Sequence, residues 1–512
     1  MMMRCGLLLV CSVLVIGLAG ACSVGPDFLR PERPAAQSYV PDQKMDLVAA
    51  AIPGGEAQRI VQGMDIPGQW WGVFESPSLN ALIERSLAAN PDVRAAAASL
   101  GIAQQNARAQ RATLFPSLQG TFQGSQNQVP PILQSIPADQ SSIFGLFTAG
   151  LQITYALDLW GGNRRQIESL DALAEAQCFQ LEGTYLSLSS NVVAAAITEA
   201  SLRGQVAATR RIIAAQRETL GILQEQSVLG AVPGADVASQ QAVLAQAQAT
   251  LPPLEKALAQ QRNLLATLTG RLPSERLDEH FELADLKLPH ELPLSLPSRL
   301  VEQRPDVRAA EANLHSAGAL VGVAIANQLP QVSLGVGATS TSLTLGSLFS
   351  PGTLGTVVGL NAAQTLIDAG ALAAKKRAAV AGLEQADAQY KSTVLGAFRN
   401  VADVLTALEY DALTLRAAVA AERAASTSLN IARRRLELGD TTYVLVLIAE
   451  LTYQQTLLAR VQAQAARLTN TAALFQSLGG AWWNRDSAPE QGTQSVARCV
   501  PPAAPRAARL GG

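Results

Sequence analysis

The sequence predicts a mainly α-helical chain in which four β-strands are set between long helices, as two tandem copies of one module. Three observations predict it. Pro91-Asp92-Val93-Arg94-Ala95-Ala96 returns as Pro305-Asp306-Val307-Arg308-Ala309-Ala310, and Pro116 returns as Pro330 at the same offset. No proline falls between Gly162 and Val232, nor between Gly352 and Ala488. Short segments of strict apolar–polar alternation stand just before those proline-free runs. The composition agrees: 512 residues are 48% hydrophobic but only 4% aromatic, which suits long, closely packed helices better than an aromatic-filled core. The repeat period is far too long for a solenoid and indicates two copies of a domain-sized unit.

The chain opens on a leader. Met1 to Ala21 has one early positive charge, Arg4, then the apolar run Cys5–Ala19, and ends in small residues before Cys22. Residues 1–21 read as a signal peptide, too short and wrongly flanked for a spanning helix. A cysteine directly after such a site is similar to a bacterial lipobox, although Ala19 stands where a larger aliphatic residue is usual. Either Cys22 is left unmodified after cleavage, or it carries a diacylglycerol thioether and an N-acyl chain. The latter supplies the two anchoring signals that stable attachment needs. Ser23, not Asp, follows it, which points to the outer membrane. No cofactor other than this covalent lipid is expected.

Residues 22–77 form an N-terminal anchored segment, and 78–271 the first copy. A helix is expected from about Pro91 to Phe115, with Pro at its start, where its missing N–H costs nothing, and Pro116 as its stop. Strands are expected at about 117–128 and 148–160, from the alternation in Leu118-Gln119-Gly120-Thr121-Phe122-Gln123 and Leu151-Gln152-Ile153-Thr154-Tyr155. A helical hairpin over about 163–269 follows. Its first arm, to Leu229, is roughly 100 Å long at 1.5 Å per residue. Gly230 is where it reverses.

Residues 272–300 are a Pro-rich linker. The second copy, 301–483, repeats the order, with strands at about 331–343 and 354–367 and a hairpin over about 369–478 that turns at Gly439. In that hairpin Val394, Phe398, Val401, Leu405, Leu408, Ala412, Leu415 and Val419 recur at alternating spacings of four and three, a heptad seam. Residues 484–512, rich in Ala, Pro, Gly and Arg, read as a disordered tail.

Four alternating strands suit either a soluble sheet packed on one face or a sheet in lipid. After residue 22 no uncharged apolar run is long enough to span a membrane, so any span is made by strands. Four strands cannot close a barrel, and lipid tolerates no open edge. The chain must then oligomerise, and three copies give twelve strands. Leu118, Phe122, Leu151, Ile153, Tyr155, Val332, Leu334 and Val336 would face lipid. Gln119, Thr121, Gln123, Gln152, Thr154 and Ser333 would face a watery lumen, which the helical rods would continue as a periplasmic tunnel.

These residues resemble the TolC-type outer-membrane efflux channels, in their lipidated branch. The resemblance runs from Cys22 to Trp483. It is carried by Cys22-Ser23-Val24-Gly25-Pro26-Asp27-Phe28 with Arg30-Pro31, by Trp70-Trp71-Gly72-Val73-Phe74, by Leu296-Pro297-Ser298-Arg299-Leu300 leading into Arg304–Glu311, and by Leu478-Gly479-Gly480-Ala481-Trp482-Trp483. It implies a homotrimeric barrel and α-helical tunnel, a 272–300 linker lying in a belt around the tunnel, and docking through the hairpin tips at Gly230 and Gly439 onto a periplasmic adaptor and an inner-membrane pump of the proton-driven RND class. It further implies a constriction just past the Gly439 turn. The family often has a carboxylate where Ile448 stands and an aromatic where Leu436 stands, and here both are aliphatic. Leu436, Val444 and Ile448 either form an apolar aperture or only pack helix on helix.

Other functions find little material. A net charge of −2 lacks the basic footprint of a nucleic-acid binder. The five cysteines include no CxxC pair, and no nucleophile–base set or phosphate-cradling loop stands out. An enzyme is not expected. His280 and His290, on the polar linker, read as solvated rather than as metal ligands. Cys178 reads as a small packing residue, and Cys499 has no evident partner. The rival readings are a periplasmic adaptor lipoprotein and an outer-membrane channel for polypeptide secretion. Adaptors usually carry one helical hairpin, whereas this chain carries two, each with its strand pair.

Overall fold

The computed structural model describes residues 23–129, 142–275 and 277–485. Cys22, the 1–21 leader, Pro130, Pro131, Pro137, Cys499 and the tail from residue 486 lie outside the described residues. In chain order the elements are β1 (Asp46–Leu47), β2 (Gln58–Gln62), α1 (Pro77–Ala89), α2 (Pro91–Arg111), β3 (Ser117–Val129), β4 (Ser142–Leu157), α3 (Gly162–Val228), α4 (Gly234–Leu268), β5 (Glu291–Leu294), α5 (Pro297–Gln303), α6 (Pro305–Ala326), β6 (Gln331–Ser342), β7 (Leu354–Ala363), α7 (Ala371–Glu437) and α8 (Tyr443–Ser477). Each of α1, α2, α5 and α6 begins on a proline, whose fixed φ suits the first helical position. The long arms α3 and α7 have 67 residues each, and the returning arms α4 and α8 have 35 each.

The chain divides into two compact units. The first comprises residues up to Pro31, Ser99–Gln177 and Ala310–Tyr390, and holds a four-stranded sheet in the order β3-β4-β6-β7. All three pairings are antiparallel, with Leu118 opposite Ile153, Ile153 opposite Val336, and Val336 opposite Val358. Two boundaries differ from expectation. β4 starts at Ser142, not 148, because the apolar run Ile143–Phe147 lacks alternation yet pairs with β3 to its last residue. β7 ends at Ala363, not 367, and the carboxylate of Asp368 then accepts the Gly370 and Leu372 N–H groups to open α7. Asp158 does the same for α3, accepting Asn163 and Arg164 N–H at 3.0 Å.

The second unit comprises Glu32–Ala98, Cys178–Ala309 and the chain from Lys391. Its core is the helical seam: Val401, Leu405, Leu408, Ala412, Leu415 and Val419 are all buried, and Val394 and Phe398 are half-buried. Beside it lies a small sheet, β1-β2-β5, in which β2 of the N-terminal segment runs parallel to β5 of the 272–300 linker. That segment is fastened by Arg467, whose fully buried guanidinium donates to the Glu56 carbonyl at 2.5 Å and the Gln58 Oε1 at 3.4 Å. Trp70 stacks on Phe475 at 5.6 Å between ring centroids.

α8 is by length and hydropathy apolar enough to cross a membrane. It is not an uncharged run, since it carries Glu450, Arg460 and Arg467, and Glu450 and Arg467 are bound inside the protein beside a buried stripe of side chains. One boundary needs correction. Order extends past Trp483: Asn484 donates to Asp65 and Ile66, and Arg485 pairs with Glu182. Cys178 is buried, as expected.

Candidate functional site

Strand alternation gives the sheet two unlike faces. One carries Leu118, Phe122, Leu151, Ile153, Leu334, Val336, Val358 and Leu360, and these apolar side chains stand in the open, with Leu118 67% and Phe122 65% exposed. The opposite face carries Gln119, Thr121, Gln123, Gln152, Thr154, Ser333, Thr339 and Asn361. Tyr155 and Val332 also lie on the apolar face and are half-buried. The outer edges of β3 and β7 have no strand partner among the described residues. An apolar face in water and two unpaired edges are costly in a soluble protein.

A cradle in the same unit holds the N-terminal segment. Val24 N–H donates to the Trp160 carbonyl at 3.1 Å. Arg165, 4% exposed, donates to the carbonyls of Val24 and Gly25 and to the Asp27 carboxylate at 2.6 Å. Phe28 stacks on His315 at 4.3 Å, and Arg30 binds Glu311 at 2.6 Å. Gly25 lies so close to Gly322 that a Cβ would sit 2.4 Å from the Gly322 Cα. Ser23, the residue after Cys22, thereby rests against Gly161, just beyond the foot of β4.

The hairpin tips lie in the second unit. Gly230 and Gly439 both have φ of +73°, a left-handed conformation that favours glycine. Each closes its helix identically: Gly230 N–H donates to Ser227 and Ala231 N–H to Gln226, while Gly439 N–H donates to Leu436 and Asp440 N–H to Arg435. Around the second turn the three suggested aperture residues separate. Leu436 packs inward against a cluster of Leu223, Leu429, Tyr443, Val446 and Leu447. Val444 and Ile448, four residues apart on one helix face, point outward at 54% and 57% exposed, and Leu445 joins them.

Sequence reading missed a polar chain behind these residues. Tyr443 Oη donates to Gln240 Oε1 at 2.6 Å, Gln240 Nε2 donates to Gln216 Oε1 at 2.5 Å, and Gln216 Nε2 donates to Glu450 Oε2 at 2.7 Å. Arg433 donates to Glu450 Oε1 at 2.8 Å. All are buried except Arg433, and together they join α3, α4, α7 and α8. Burial, with the nearby Glu450 and Asp236 carboxylates, pushes the Tyr443 hydroxyl above the usual phenol range. The only hint in the sequence was that Tyr443, Glu450 and the buried Val446 and Leu447 fall at spacings of three, four and seven. The linker histidines are exposed, and His280 Nδ1 lies 3.1 Å from the Arg203 guanidinium.

Residues 82–271 and 296–480 match the family described as outer membrane efflux protein. The toluene efflux pump outer membrane protein TtgC of Pseudomonas putida is 28% identical over 473 residues, 91% of this chain and 94% of that protein. The pyoverdine export outer membrane protein OpmQ of Pseudomonas aeruginosa is 28% identical over 420 residues, 81% of this chain and 87% of that protein. The solved structure of the outer-membrane channel OprN superposes with a TM-score of 0.79 at 28% identity, covering 90% of this chain and all of that one (100%).

Proposed function

The chain belongs to the outer membrane efflux protein family, and from that premise we infer that three copies close one barrel through the edges of their sheets. The protein is an outer-membrane efflux channel, a transporter rather than an enzyme. The observation that carries the trimer is the sheet. Its four strands alternate in direction, so β7 of one copy meets β3 of the next antiparallel, and the alternation continues unbroken around a ring. Two copies would give eight strands, whose interior is filled by side chains, whereas three give twelve and leave a lumen. The apolar face then lies in lipid and the Gln/Ser/Thr face lines water.

Cys22 carries the lipid anchor in this reading. The cradle around Arg165 supports it, because it holds the segment that begins one residue later beside the foot of the sheet. The helical arms form the periplasmic tunnel, belted by the 272–300 linker. The tips at Gly230 and Gly439, with exposed Leu229 and Leu438, contact a periplasmic adaptor that links the channel to an inner-membrane pump of the RND class. Val444 and Ile448, in triplicate, form an apolar constriction that gates by dewetting, with Leu436 packed behind them. The relatives' names, which speak of toluene efflux and pyoverdine export, favour small-molecule efflux over polypeptide secretion, and the family match leaves the adaptor reading behind.

Membrane fractionation and mass spectrometry of the mature protein test this reading. It predicts heat-modifiable migration in the outer-membrane fraction and an acylated Cys22 at the mature N-terminus. A soluble periplasmic protein contradicts the barrel. An unmodified chain starting elsewhere contradicts the anchor alone.

A further inference from the structure

The sheet carries an unusual omission. Among the described residues, β3, β4, β6 and β7 contain no Asp, Glu, Lys, Arg or His. The omission extends past the strands, since none of these residues occurs anywhere from Ser316 to Ile367. The polar face carries uncharged side chains such as Gln119, Thr121, Gln152, Thr339 and Asn361, interleaved with glycines such as Gly337 and Gly359 and a few apolar residues such as Val357. These groups offer hydrogen-bond donors and acceptors but no fixed charge.

Among the described residues, three charges that border the sheet are bound locally. Arg111 Nη2 donates to both carboxylate oxygens of Asp171 at 2.8 Å. Asp158 is held by Arg164 and by helix N–H groups. Asp368 is consumed in capping α7. Fixed charges act over roughly a Debye length, about 8 Å at physiological salt, so a wall without them leaves the lumen field close to that of the bulk solution.

We propose that the membrane section of this channel is charge-blind: it passes small cargo that is neutral, cationic or anionic without preference, and selects ions of neither sign. The inference rests on the trimeric-barrel reading above and specifies its cargo class. A lumen ringed by carboxylates or guanidiniums would enrich counter-ions and exclude co-ions. This one does neither, and its amide and hydroxyl lining offers an organic solute of any charge only bonds that it can equally exchange with water.

The test is the reversal potential of the purified full-length channel in planar bilayers under a potassium chloride gradient, for the unmodified protein and for Gln152→Glu and Gln152→Lys. Gln152 faces Gln119 on one side and Gly337 on the other, so a charged side chain has room. The unmodified channel should reverse close to zero, because potassium and chloride have nearly equal mobilities. The two variants should shift it by similar amounts in opposite directions. A strong preference for either ion in the unmodified channel overturns the proposal. So does a pair of variants of which only one shifts the potential. If neither variant assembles, the potential of the unmodified channel decides alone. If no preparation conducts at all, the channel reading itself fails, and this proposal falls with it.

Discussion

Gln216 and Glu450, 234 residues apart in the chain, meet at 2.7 Å inside the helical unit, and each is 3% exposed. Their bond joins α3 to α8 and is the third of four links in the chain from Tyr443 to Arg433. From Tyr443 the first three donors point one way and Arg433 donates from the other end, so all converge on a single carboxylate, and along the first three each bond polarises the next.

Glu450→Ala leaves the Gln216 amide buried without its acceptor, while half-exposed Arg433 can turn to water. The loss should be about 1–3 kcal/mol. Faster amide hydrogen exchange confined to the tip helices, with the sheet unaffected, is the expected signature. Glu450→Gln keeps an acceptor and should exchange at an intermediate rate.

Tyr443→Phe removes the hydroxyl at the other end and should cost about 1 kcal/mol at neutral pH. It should also change the alkaline limb. The folded state holds the Tyr443 proton above the ordinary value of 10.0, so the unfolded chain releases its proton first as pH rises. Stability from this group is therefore complete below about pH 10 and is lost above it. Thermal melts between pH 9 and pH 11, for both proteins, should show a shallower alkaline decline in the variant.

Ile448→Asp places a carboxylate on an exposed helix face, so trimers should survive and conduct more, with block by divalent cations. Leu436→Asp puts the same charge against buried Leu429 and Tyr443 and should disrupt folding instead. Single-channel recording and trimer yield of the pair check this. Loss of assembly in Ile448→Asp, without a conducting channel, would place Ile448 in a packed interface.

Leu334 and Ser333 are neighbours on opposite faces of β6, opposite Leu360 and Asn361 respectively. Leu334→Arg should cost about 2–4 kcal/mol if it lies near the bilayer midplane. Ser333→Arg should fold nearly normally and alter conductance. Denaturant midpoints of the two refolded variants separate these outcomes.

Much of this was legible in the residues. Proline placement located the starts of α2 and α6, glycine located the tip turns, and the four-and-three spacing from Val401 to Val419 named side chains that the structure buries. What escaped has physical reasons. The Ile143–Phe147 run is apolar on both faces and has no strand period to detect. The pairing of β2 with β5 joins segments over 200 residues apart, each too short to show a pattern. Gln216, Gln240 and Glu450 look like solvated positions on long helices until their partners on three other helices are in place. Leu436 and Ile448 are alike in type, and only the helix packing shows that one faces the core and the other the open.

The closure of three sheets through β7 and β3 is tested most directly by the mass of the detergent-extracted, conducting protein, measured by native mass spectrometry with bound detergent removed. The account predicts a single species of three copies. A stable, membrane-inserted species of one copy, with its four strands and unpaired edges, would contradict it.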